Sequence, residues 1–120
     1  MGQGVDAEEK MPLPNSENAY VPPKKLTGYL LSETHVMGKT KARFFRAHGY
    51  NDDNVHLLEQ RLLSIARNHD VEEESTSPHG TKYGVKGTLS TPRGTVVTVH
   101  TVWIIEPGDE RPRFVTAYPR

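Results

Sequence analysis

The hydrophobic period of the chain changes once, after His69, and no other feature constrains its fold as much. Before that point Val55, Leu58, Leu62 and Ile65 recur as i, i+3, i+7 and i+10, one apolar stripe of a helix over Val55–Asn68. Leu57 and Leu63 widen the stripe, as suits a helix lying across a sheet. Beyond it Thr81–Leu89 alternates, with Tyr83, Val85 and Leu89 on one side and Lys82, Lys86 and Thr88 on the other. Thr95–Ile105 is β-branched and apolar on both faces, which suits a central strand. A helical period followed by a strand period predicts an α+β domain.

Local signals divide the rest. Met1 to Tyr20 mixes Gly, Glu, Asn, Pro and Ser without periodicity and is expected to be a flexible N-terminal arm, leaving 21–120 as a single domain. Val21-Pro22-Pro23 opens a short helix, because proline in a first turn gives up an N–H that has no partner there. Leu26, Tyr29 and Leu30 form its apolar face, and Glu33–Gly38 is a turn. Lys39–His48 is the second helix, stopped by Gly49, with Phe45 inward and Lys39, Arg43 and Arg46 toward solvent. Asn51–Asn54 offers an N-cap to the third helix. Val71–Ser75 reads as a polar edge strand and Arg113–Tyr118 as the last strand. Turns or hairpin loops fall at Ser77–Gly80, Ser90–Gly94 and Glu106–Pro112. The expected architecture is about three N-terminal helices packed on one face of a three- to four-stranded antiparallel sheet.

Composition excludes several functions. With no cysteine there is no disulfide, thiolate metal site or cysteine nucleophile. The six His show no metal-binding spacing, and no metal or cofactor is expected. No run approaches the roughly 18 apolar residues of a membrane helix. A soluble, cytoplasmic protein with no membrane or DNA partner is the expectation. Lys+Arg and Asp+Glu are both 15, so any polyanion must be held by local asymmetry rather than by a global field.

One segment supplies that asymmetry. His35–Tyr50 holds two His, two Lys, two Arg and two Phe. It is either a basic helix that only packs or one wall of an anion site. Lys39 and Lys41 sit near a helix start, where the helix dipole disfavours cations, so something must offset that cost. On the sheet, the face opposite the expected core carries Lys82, Lys86, Thr98, His100, Phe114, Thr116 and Tyr118. Lys neutralises phosphate, Thr and Tyr donate hydrogen bonds, and His exchanges a proton near neutral pH. Each has a plainer reading too. A mid-strand His is often a satisfied half-buried side chain, Lys86 decorates a surface, Thr is a good strand former, and Tyr118 can be a packing aromatic. His48, His56, His69 and His79 read as structural or solvated. There is no phosphate-binding glycine loop and no nucleophile elbow.

Lys25-Leu-Thr-Gly-Tyr-Leu-Leu-Ser32, His35-x-x-Gly38-x-x-Lys41-Ala-x-Phe-Phe45, Gly80-Thr-Lys-Tyr83, Thr101-Val-Trp-Ile104 and Val115-Thr-Ala-Tyr-Pro119 resemble a small bacterial domain of unknown function. That domain is found alone and at the C-terminal tip of polymorphic toxins, and the resemblance spans about Tyr20 to Pro119. Its layout is similar to the ribonuclease-toxin fold group of barnase, EndoU, colicin E5/D and RelE-like members. The resemblance implies a metal-independent endoribonuclease of bacterial toxin type acting on RNA and neutralised by a protein antitoxin or immunity partner. The matching segments carry over His35, Lys41, Lys82, Thr101, Thr116 and Tyr118; together with the residue chemistry, the expected catalytic residues are His35, His100 and Lys82, and Lys39, Lys41, Thr101, Thr116 and Tyr118 are expected to bind phosphate or RNA. Thr101 falls on the presumed core face, which conflicts with that role. The alternative is a non-catalytic binding module using the same face, such as an immunity or adaptor protein or a nucleotide-binding domain.

Overall fold

The computed structural model describes residues 11–36 and 38–120. A 3₁₀ turn at Ser16–Asn18 precedes helix α1 (Pro23–Lys25), which runs into a π-helical stretch, Leu26–Leu30. Helices α2 (Lys39–Ala47) and α3 (Val55–Asn68) follow, then strands β1 (Val71–Ser77), β2 (Gly80–Ser90), β3 (Val96–Ile105) and β4 (Arg113–Pro119). The chain is α+β. Its helices lie mid-chain, between residues 23 and 68, rather than at the N-terminus. The strands form one antiparallel meander in the order β1-β2-β3-β4.

The apolar stripe of α3 does what its spacing implies. Leu58, Leu62, Leu63, Ile65 and Ala66 are buried, and they join Val85, Leu89, Val99, Trp103, Phe114 and Ala117 of the sheet in one core. Gly87 allows the close approach: a Cβ there would lie 2.9 Å from two carbons of Ile65. Helix α2 ends as its glycine predicts. Gly49 has φ 102°, and Tyr50 N–H and Gly49 N–H donate to the carbonyls of Phe45 and Arg46 at 3.1 and 3.0 Å, a Schellman ending. Asn54, in contrast, does not cap α3. Its Oδ1 accepts from Asn51 N–H at 2.8 Å, closing the preceding turn on itself.

Three further expectations need correction. First, residues 1–10 of the expected arm lie outside the described residues, but the core reaches back into the rest of it. Leu13 is 2% exposed, Val71 N–H donates to Met11 O, and Tyr20 pairs with the start of β4. Second, Phe114 lies on the core face, edge-on to Trp103 at 5.3 Å. The register of β4 shifts between Val102 and Trp103, so one extra residue at Val115 inverts the alternation below it. Third, Arg46 does not merely face solvent. Its Nε and Nη2 donate to Leu31 O at 2.9 and 2.6 Å, and Nη2 also reaches Asp52 at 2.9 Å. It ties the end of the π stretch to α2.

Candidate functional site: a cationic cleft around Tyr29

Strand β4 is the sheet edge nearest the first helical segment. Tyr20 N–H donates to Pro112 O and Phe114 N–H donates to Tyr20 O, both at 3.0 Å, so the chain enters α1 alongside that edge. The π stretch then accommodates a wider turn, closed by Leu31 N–H to Leu26 O at 2.9 Å. π turns are rare and often occur at functional sites. This one buries Leu26 and Leu30 but leaves Tyr29 half-buried.

Tyr29 is the hub. Its hydroxyl meets Thr116 Oγ1 at 2.9 Å. Lys25 Nζ stands 4.8 Å and Lys41 Nζ 5.7 Å from the ring centroid. The His35 ring meets it edge-on at 5.1 Å. These residues come from four separate segments. Gly38 makes the meeting possible, because a Cβ there would lie 2.2 Å from Tyr29 O. The turn is pinned as well: Gly38 N–H donates to His35 Nδ1 at 3.1 Å, and His35 N–H to Ser32 Oγ at 3.1 Å. The Tyr29 ring thus lies within cation–π reach of Lys41, one of the two lysines near the start of α2.

Beside this hub lies a cleft of about 400 Å³, lined by Pro22, Lys24, Lys25, Gly28, Tyr29, His35 and Arg113, with no carboxylate among the described residues that line it; Lys41 and Thr116 meet Tyr29 from outside that lining. Arg113 is held by Glu106 at 3.2 Å just outside it. Beside the entry, Arg111 covers the Tyr20 ring at 4.5 Å. The N–H of Arg111, then its side chain, holds the Asp109 carboxyl below its ordinary range, and Asp109 in turn raises Arg111.

The fold thus brings together three of the residues singled out in the sequence: His35, Lys41 and Thr116. It separates the others. Lys39 is exposed at the start of α2 and does not line the cleft. Lys82 is exposed on β2, opposite Ile104. Thr101 is fully buried; its hydroxyl donates to Val85 O at 2.7 Å and accepts from Trp103 Nε1 at 2.8 Å. It pins the core and is out of reach of any phosphate. His100 is 1% exposed, stacked on Tyr118 at 5.2 Å, with Nε2 3.3 Å from Glu73 Oε1. Its Nδ1 is the one buried side-chain polar atom without a hydrogen bond among the described residues. Lys86, opposite His100, pairs with Glu72 at 3.5 Å. Tyr29 and Lys25 were missed as site residues. The available signal was Gly28 beside Tyr29 inside a helical pattern, flanked by Lys24 and Lys25.

Among the described residues no group of three or more His, Asp or Glu is placed to hold a metal, and no helix is long and apolar enough to cross a membrane.

A small α+β domain with a four-stranded meander and a cation-lined cleft at its edge defines the class. Residues 12–120 match the family model described as Domain of unknown function (DUF6883), and the chain belongs to that family. Its fold is similar to that of a chain in the contact-dependent growth inhibition toxin–immunity protein complex from Klebsiella pneumoniae 342. The TM-score is 0.69 at 20% identity, covering 88% of this chain and 96% of that one. At that identity the likeness is one of fold. No curated protein matches the sequence.

Proposed function

We propose that the chain acts as a toxin-type domain that cleaves RNA phosphodiesters without a metal, in the Tyr29 cleft. The observation that carries this reading is the convergence of His35, Lys41 and Thr116 on Tyr29 from distant parts of the chain. In such a reaction the ribose 2′-hydroxyl loses a proton and its oxygen bonds to phosphorus. The bond from phosphorus to the 5′-oxygen breaks, and that oxygen takes up a proton. The products are a 2′,3′-cyclic phosphate and a 5′-hydroxyl. Lys25 and Lys41 offset the charge that builds on the phosphorane. His35 and the Tyr29 hydroxyl are the groups there that pass protons, and Thr116 orients the phenol. His100 is sealed beneath Tyr118, so this reading gives it and Lys82 no contact with the reacting phosphate.

The fold likeness to a chain of a toxin–immunity complex supports a place in a toxin system, with an immunity protein as partner and action inside a target cell. A second reading has its own observation. Glu72–Ser77 of edge strand β1 are all exposed and begin with three glutamates, a surface that suits a basic protein partner better than RNA. That favours an immunity or adaptor module. One experiment separates the readings. Purified protein with a chelator should fragment RNA and leave 2′,3′-cyclic phosphate ends, and His35→Ala should slow this by about 100-fold or more. Intact RNA, together with capture of a cognate toxin, would establish the binding module instead.

A further inference from the structure

The chemistry of the cleft lining defines what it recognises. A pocket that reads a nucleobase needs two things: a free aromatic face for stacking, and side-chain acceptors for the amino groups on base edges. The tyrosine rings in and beside this cleft are already covered, and the third ring, His35, is set edge-on against Tyr29 at 5.1 Å. Lys25 and Lys41 stand over Tyr29, and Arg111 stands over Tyr20. The acceptors are engaged as well. His35 Nδ1 takes the Gly38 N–H, and the Tyr29 hydroxyl is bonded to Thr116. What the lining offers a ligand is donors and positive charge, above all from Lys24 and Lys25, since Arg113 is already paired with Glu106. Donors and charge match phosphate oxygens and do not distinguish one base from another.

We infer that the cleft is a base-blind phosphate site: it binds the phosphate of any nucleotide and leaves the base unread. The inference rests on the reading of the cleft as the place where a phosphodiester sits. It follows that any sequence preference in RNA is imposed by surface outside the cleft.

The test is a titration of the ¹⁵N-labelled protein, following the amides of Gly28, Tyr29 and Gly38, with inorganic phosphate, the four nucleoside 3′-monophosphates and the four nucleosides. The expected result is that phosphate and all four monophosphates shift these amides. Their affinities should differ by less than the about tenfold that one good base contact confers. The nucleosides should leave the amides unmoved, and Lys25→Ala should weaken all four monophosphates by the same factor. Binding of any nucleoside, a preference for one monophosphate beyond about tenfold, or no binding by any of them overturns the inference. Equal binding by a protein that leaves RNA intact would sink the ribonuclease reading and leave this one standing.

Discussion

His35 and His100 are both histidines set among lysine, tyrosine and threonine, yet their surroundings are opposite. His35 stands exposed in a turn, with cations and a tyrosine ring around it. His100 lies mid-strand between two paired neighbours, with Tyr118 stacked on it and Gly84 leaving the room its ring fills. A turn residue keeps more access to solvent than one held inside a sheet. A residue in the third strand of four is flanked on both sides, and one aromatic on the next strand suffices to close it off. Position in the fold, rather than residue type, separates an accessible histidine from a buried one.

Substitutions can break this contrast. The largest effect on stability is expected from His100→Ala, which opens a cavity under Tyr118 and should cost about 2–3 kcal/mol in chemical denaturation. His100→Phe keeps the shape and removes the unsatisfied Nδ1, so it should be nearly neutral. A large loss for that variant would mean that the contact with Glu73 matters more than burial does. Gly84→Ala sets a Cβ 2.6 Å from His100 Nε2 and should cost about 1–3 kcal/mol, read as a fall in Tm. An unchanged Tm would show that the ring is free to move.

The cleft should answer more mildly in stability. Tyr29→Phe removes the hydroxyl bonded to Thr116 and should cost about 1 kcal/mol while abolishing most RNA cleavage. Lys25→Ala should change stability by less than about 0.5 kcal/mol. It should also lower the salt dependence of single-stranded RNA binding by about 0.7 in log–log slope.

The smallest effect concerns the loop before β4. The Asp109 carboxyl is held below its ordinary range by Arg111. A group whose folded pKa is lowered adds stability above its unfolded value and loses it as pH falls through the folded one. The advantage of wild type over Asp109→Asn should therefore be present at neutral pH and shrink in acid below the usual carboxylate range, as followed by thermal melts.

Much of the architecture was legible because it rests on local rules. The stripe of α3 and the Gly49 stop of α2 follow from helical spacing and from a positive φ. Alternation along β3 correctly set His100 opposite Thr101. It failed at Phe114, because a bulge inserts a residue without leaving a sequence signal of its own. The surroundings of Tyr29 were legible in part. His35, Lys41 and Thr116 stood out by chemistry. Tyr29 read as a core residue at helical spacing, but the π stretch leaves it only half-buried, in reach of Thr116. Lys82 and His100 could not be separated from the cleft in advance, because their distance from it is set by strand order and not by neighbours in sequence.

The most direct test of the central claim, that the Tyr29 cleft and not the His100 cluster handles the phosphodiester, is RNA cleavage in the presence of a chelator by wild type, His35→Ala and His100→Phe, each first shown to be folded. The expected result is that His100→Phe cleaves like wild type, while His35→Ala is slower by about 100-fold or more. An active His35→Ala beside an inactive, folded His100→Phe would contradict it.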